Sequence, residues 1–589
     1  MKTFLAALLL VGIGLGIFFF FWPSPHYTAA DILSDQTILL IQTPETRAAR
    51  QKFASTALGR IWNEPEVRQF LQRPMESARS KIGEQKESVL LLQEMLKLFG
   101  LVEGESFLAL TDISISPHLD FDFIAGFDAS HHAANLKQEA ERFASQYQVE
   151  FPSAELEDHR EGSVKYHVLT EGRGVKLVYG RLGNLMLVSR SENAFKQAIA
   201  CVHDKEAHPL GKSALYSAHL QHREGSDVLF FFNPAAALGK WQPFLQLQPA
   251  LKSQGKWMPF QSIFGTSRFF DTNIEDQLWT TLDSEEAAQS DISDFKLCGC
   301  QSLKGVSSNA LVYAAAAVNV PSWISRNYGE LRKNRIGPWT KQLDALEQLL
   351  DARQIHLKQD LLEHLGPEVA MALEWGKETH FPQGQVFIEC HEPKSVEAAL
   401  HSFWSVLSGL APGVLGEFQE IASSKGEPML TLNGLFSGVR PTVAFHENWM
   451  IIGLDPTAVE LAISIMQGDG PRLADSKTFQ SVESRFGANH CQFVYCDEKR
   501  LFERTYDLLS GIAWLAGPLV PKLQDQVDLS RLPQTATISK YLGPAVSVTK
   551  VDGNGFHQSA YGPVNLTVMT GIEALAGAAA WQPAGQTAK

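Results

Sequence analysis

The chain has 589 residues, is 44% hydrophobic and 20% charged, and carries a formal charge of -14. That balance excludes an intrinsically disordered chain and a polytopic membrane protein, and at roughly 150 residues per domain it leaves room for two to four domains. The acidic excess, with no basic stripe, excludes a nucleic-acid partner, which needs Lys and Arg gathered on one face to displace counterions from phosphates.

The first element is apolar. Phe4 to Trp22 runs for 19 residues without a charge. As a helix it rises about 28 Å, close to the roughly 30 Å hydrocarbon core of a bilayer. Lys2 precedes the run and no Lys or Arg follows until Arg47, so the positive-inside rule predicts a cytoplasmic N-terminus with the bulk of the chain outside the cytoplasm. Residues 1–25 are therefore expected to be a retained signal-anchor, a single transmembrane helix that makes the inner membrane a partner through residues 4–22. Phe18 to Trp22 and then Pro23-Ser24-Pro25 leave no small-x-small site close behind the apolar core, which argues against cleavage.

Ala30-Asp31-Ile32-Leu33 follows, then the apolar run Ile38 to Ile41 and Thr56-Ala-Leu-Gly59-Arg-Ile-Trp62-Asn-Glu-Pro65. The stretches Ala30–Leu33 and Thr56–Pro65 resemble the start of a bacterial family of single-pass exported proteins catalogued as a domain of unknown function. The resemblance implies a bacterial inner-membrane protein with a periplasmic body. It supplies no activity and no catalytic residues.

The next signal is repetition. Asn184-Leu-Met-Leu-Val-Ser before Glu192-Asn-Ala-Phe-Lys-Gln-Ala-Ile reads as strand, turn and helix, and so does Asn448-Trp-Met-Ile-Ile-Gly before Pro456-Thr-Ala-Val-Glu-Leu-Ala-Ile. The two stretches lie 264 residues apart without a gap. Short apolar runs rich in Val, Ile and Phe alternate with helical patterns, and hairpin signals stand at Glu171–Gly174, Gly180–Asn184 and Asp552–Gly555. The expected fold is α+β with two tandem homologous halves, residues 30–295 and 305–565. Each half is expected to be a mixed or mostly antiparallel sheet with helices packed on it, and residues 566–589 an Ala/Gly-rich tail.

Chemistry is sparse in the sequence. Nucleophile elbows, a P-loop, His-Glu-x-x-His and paired CxxC are all missing. Asp120 and Asp122, two apart on an expected strand, share a face, and Asp128, His131 and His132 follow. These are the candidates for acid–base or metal chemistry. Of the six cysteines, Cys298-Gly299-Cys300 is the one close pair, with a redox or metal role open to it. No cofactor is called for. The expected function is a binding or structural module of the bacterial envelope with an envelope protein or lipid as partner. The alternative is an envelope hydrolase or metal-dependent enzyme with a site near Asp120, Asp122 and His131.

Overall fold

The structure is a computed structural model describing residues 25–72, 100–114, 120–131, 133–172, 174–247, 260–282, 291–322, 348–376, 382–410, 417–433, 439–516 and 528–564. Among the described residues ten strands precede residue 300: β1 (Leu39–Thr43), β2 (Ser106–Ser114), β3 (Asp120–Asp128), β4 (Ala154–Glu161), β5 (Val164–Glu171), β6 (Gly174–Leu182), β7 (Leu185–Ser189), β8 (Val228–Phe232), β9 (Phe260–Phe270) and β10 (Asn273–Leu282). Ten follow: β11 (Ala310–Ala317), β12 (Leu365–Glu374), β13 (Gln383–Cys390), β14 (Glu417–Ala422), β15 (Pro428–Asn433), β16 (Thr442–His446), β17 (Trp449–Gly453), β18 (Gln492–Asp497), β19 (Pro544–Asp552) and β20 (Gly555–Gly562).

All twenty belong to one antiparallel hydrogen-bonded sheet. Among the first eight strands the pairing order is β8-β1-β2-β3-β7-β6-β5-β4. From β11 to β18 the order is β18-β11-β12-β13-β17-β16-β15-β14. This is a recurrence of connectivity inside one sheet, and it corrects the expectation of two tandem halves with separate mixed sheets. The finding that overturns it is the ladder between β10 and β20, from Ile274 opposite Gly562 to Thr281 opposite Gly555. A separate first half would leave the unpaired N–H and C=O groups of β10 as an open edge. Here they are satisfied by the last strand of the chain.

The chain forms two compact units, and their division does not fall near residue 300. One takes the chain up to Gln51 with Arg79–Gln248 and Ser262–Thr266. The other takes Lys52–Ala78, Pro249–Gln261 and everything from Ser267 onward. In the first unit, helix α1 (Ala133–Glu150) buries Leu136, Ala140, Phe143, Ala144 and Tyr147, a stripe at helical spacing. These side chains pack with Phe127, Leu177, Tyr179 and Val188 from the strands. Helix α2 (Glu192–His203) starts where the Ala194 N–H donates to the Ser191 hydroxyl. In the second unit, helix α3 (Pro393–Leu410) buries Val396, while helix α4 (Pro456–Met466) is capped by Asp455, begins on proline and buries Ala458, Val459, Ala462 and Ile463. Its core joins Tyr313, Phe387, Trp449, Ile451, Phe479, Phe493 and Val546. Burial of side chains this large contributes about 2–3 kcal/mol each.

The hairpins anticipated at Gly180–Asn184 and Asp552–Gly555 form, joining β6 to β7 and β19 to β20. Gly183 sits at φ 59, the left-handed conformation that a two-residue hairpin turn requires. Strand β4, which pairs only with β5 among the described residues, carries Glu155, Glu157, Asp158, Arg160 and Glu161. Such charge discourages edge-to-edge pairing with another chain.

The membrane-spanning expectation is corrected as well. Among the described residues no helix is long and apolar enough to cross a membrane. The signal-anchor, the single-pass inner-membrane topology and the periplasmic placement derived from it therefore lose their support. The apolar run at residues 4–22 and the tail at 566–589 lie outside the described residues. A 19-residue run satisfies a length rule, but hydropathy alone does not decide what such a run packs against.

Candidate functional site

Among the described residues, the carboxylates singled out in the sequence stand at opposite ends of one strand. Asp120 and Asp122 open β3, opposite Ser114 and Asp112, while Asp128 closes it opposite Leu185. At about 3.4 Å per residue, the strand puts Asp122 and Asp128 roughly 20 Å apart. Asp112, the cross-strand partner of Asp122, is paired with Lys240 at 3.1 Å. The Asp128 carboxylate accepts the Ser130 N–H at 2.9 Å and its hydroxyl at 2.6 Å, a local turn. His131 is exposed, and His132 lies outside the described residues, as does the side chain of Asp120.

Cys298 and Cys300 belong to a built cluster. Their sulfurs are 3.7 Å apart, Cys298 buried and Cys300 half-buried. Cys300 adopts a left-handed backbone at φ 48 and ψ 38, which starts the short 3-10 turn Gln301–Gly305. That turn is capped by Glu368 of β12. Its carboxylate, only 4% exposed, accepts the N–H groups of Gln301 and Ser302 at 2.9 Å each and the Ser302 hydroxyl at 2.7 Å. The Ser302 hydroxyl also meets the Tyr313 hydroxyl at 2.8 Å. Burial raises the Tyr313 phenol above its ordinary range, so it remains a neutral donor.

His490 comes in from 190 residues away. Its carbonyl accepts the Cys298 N–H at 2.8 Å, and its Nε2 lies 3.8 Å from the Cys300 sulfur. Its Nδ1 faces the Gly487 carbonyl at 3.2 Å, and a carbonyl only accepts, so Nδ1 carries the proton and Nε2 is left as the acceptor toward Cys300. Burial pushes the imidazole below its usual range, which keeps it neutral. The hydrogen bond from Cys300 lowers the Cys298 thiol; holding that bond, together with burial, raises Cys300. Among the described residues no group of three or more His, Cys, Asp or Glu side chains is arranged to hold a metal ion. The sequence offers the thiol pair; it offers no sign that His490, Glu368 and Tyr313 join it.

An open cleft of about 400 Å³ lies in the same compact unit, lined by Ser308, Arg472, Asp475, Ser476, Asp497 and Arg500, with Pro471 and Thr478. Arg500 is committed to structure. Its Nε donates to Asp497 at 2.6 Å, one terminal nitrogen donates to the Ala310 carbonyl at 3.1 Å, and its backbone N–H caps on Asp497 at 3.0 Å. These contacts fix the start of helix α5 (Glu498–Ala516) against β11. The buried Glu374 lies within reach of the Arg500 charge and a Ser307 hydrogen bond, but burial dominates and raises its carboxyl. Arg472 and Asp475 differ from these groups. Among the described residues, neither side chain makes an ion pair or a hydrogen bond. Nothing in the sequence sets them apart from other surface charges, because the cleft brings residue 308 beside residues 471–478 and 497–500.

No family model matches the chain, and no curated protein or solved structure matches it. The resemblance at Ala30–Leu33 and Thr56–Pro65 therefore stands on those residues alone.

Proposed function

We propose that the protein is a binding module whose cleft at Arg472 takes a small polar ligand carrying an anionic group. The observation that carries this reading is the pairing state of the cleft. Arg472 and Asp475 have no partner among the described residues, while Ser308, Ser476 and Thr478 offer hydroxyls around them. A half-buried arginine with open donors suits a carboxylate or phosphate, which it can grip with two parallel N–H bonds. Asp475 would favour a ligand that also carries an ammonium group. Among the described residues no hydroxyl of the cleft is hydrogen-bonded to Asp475 or Asp497, so binding has more support than catalysis. A hydrolase built on Asp120, Asp122 and His131 has less support, because the length of β3 separates its parts.

Isothermal titration of the full chain with free amino acids, dicarboxylates and inorganic phosphate tests the reading. At least one is expected to bind, and Arg472→Ala is expected to weaken it by about tenfold to a hundredfold, the worth of a hydrogen-bonded charge. Asp475→Asn should weaken amino acids and leave phosphate unchanged. Binding by none of the three classes, or equal binding by the Arg472→Ala chain, would remove the proposal.

A further inference from the structure

We infer that Cys298 and Cys300 form a redox-active dithiol that exchanges with disulfides of the glutathione class and closes to an intramolecular disulfide. Four observations converge. The sulfurs are 3.7 Å apart across a single glycine, so closing to the roughly 2.05 Å of a disulfide asks for a shift well under 2 Å. The two thiols differ in access, since Cys300 is half-buried on a surface loop with exposed Leu297 and Gly299, while Cys298 lies beneath it. An acceptor nitrogen, His490 Nε2, faces the outer sulfur at 3.8 Å. The loop is held by the Glu368 carboxylate and by the Cys298 N–H bond to His490, so the pair is presented on a fixed frame.

The exchange follows from that asymmetry. The Cys300 S–H turns from the Cys298 sulfur to His490 Nε2 and passes its proton there as the Cys300 sulfur attacks the incoming disulfide. One glutathione thiolate leaves and takes up that proton, and a mixed disulfide remains on Cys300. The Cys298 sulfur then attacks the Cys300 sulfur, and the second glutathione leaves with the Cys298 proton. The protein dithiol is oxidised, one disulfide is reduced to two thiols, and no further reactant is needed. The remaining cysteines are poorly placed for this. Among the described residues Cys201, Cys390 and Cys496 have no second sulfur within hydrogen-bonding distance, and Cys390 and Cys496 are buried. Cys491 is buried with its thiol directed to the Thr549 carbonyl.

The test uses the reduced full chain in glutathione buffers of rising oxidised fraction, quenched with acid, alkylated and digested with trypsin. The peptide Leu297–Lys304 carries both cysteines between cleavage sites at Lys296 and Lys304. It is expected to lose both alkylation sites and become lighter by two hydrogens, and Cys491→Ala should leave this unchanged. Cys298→Ser should trap glutathione on Cys300, with Cys298→Ala as the second variant if the serine destabilises the chain. His490→Phe should slow oxidation about a hundredfold at neutral pH, the low end for loss of a general base. A peptide that keeps both alkylation sites at every ratio overturns the inference. So does a folded Cys298 variant that gathers no glutathione on Cys300, or a stoichiometric metal on the purified chain that blocks oxidation.

Discussion

Replacing Glu368 with alanine is expected to destabilise the chain by about 3–4 kcal/mol, read as a drop in the urea or thermal unfolding midpoint. The carboxylate is buried and accepts three hydrogen bonds, two of them from the backbone N–H groups that open the turn Gln301–Gly305. Short helical turns leave their first N–H groups without internal partners, and a buried carboxylate is the strongest acceptor available to them. Alanine would strand two amides, at about 1–3 kcal/mol for each group left unsatisfied less whatever water recovers in the space vacated, and would leave the Ser302 hydroxyl with Tyr313 as its remaining partner. Glu368→Gln keeps the shape and one acceptor oxygen, so about half the loss is expected. Tyr313→Phe removes only one partner of the Ser302 hydroxyl, which keeps Glu368, and should cost about 1 kcal/mol. If Glu368→Ala unfolds within about 0.5 kcal/mol of the parent, in the range of an ordinary surface change, the carboxylate does not hold the turn.

Gly555→Ala should cost about 3 kcal/mol, the upper end for overpacking, because the obstacle is backbone. A Cβ at Gly555 would stand 1.8 Å from the Thr280 carbonyl oxygen and 2.8 Å from its carbon. Both residues lie in the β10–β20 ladder, where Thr281 is opposite Gly555 and the Leu282 N–H donates to the Asn554 carbonyl at 2.9 Å. Relief would require the two strands to separate. Gly553→Ala is the contrast. Gly553 has φ 53 and nothing within 4 Å of its would-be Cβ, so alanine there meets only the left-handed penalty of about 1–2 kcal/mol. An unfolding free energy lower for Gly553→Ala than for Gly555→Ala would count against the β10–β20 pairing, and with it the single sheet.

Local signals in the chain were legible because their partners sit within a few residues. The stripe Leu136, Ala140, Phe143, Ala144 and Tyr147 is a helix face whatever surrounds it. Gly183-Asn184 and Gly553-Asn554 turn their hairpins because two-residue turns need positive φ. Asp455-Pro456 starts a helix for reasons of capping and fixed φ. The same local reasoning is a weaker guide at Asp122 and His131. Closeness in sequence became distance once the intervening residues were extended as β3. It failed over the halves, because a recurrent order of strands does not say whether the last strand of each series is left as an edge.

By itself, then, the sequence determined the short strands, the hairpins and the adjacency of Cys298 and Cys300, all set by backbone sterics and side-chain period over one turn or one pleat. Tertiary structure decided which distant groups meet: β20 against β10, His490 beside Cys300, Glu368 under the Gln301–Gly305 turn, and Arg472 and Asp475 beside Ser308. Those meetings depend on satisfying strand edges and buried polar groups across the whole chain. That is a global condition, and no window of neighbouring residues contains it.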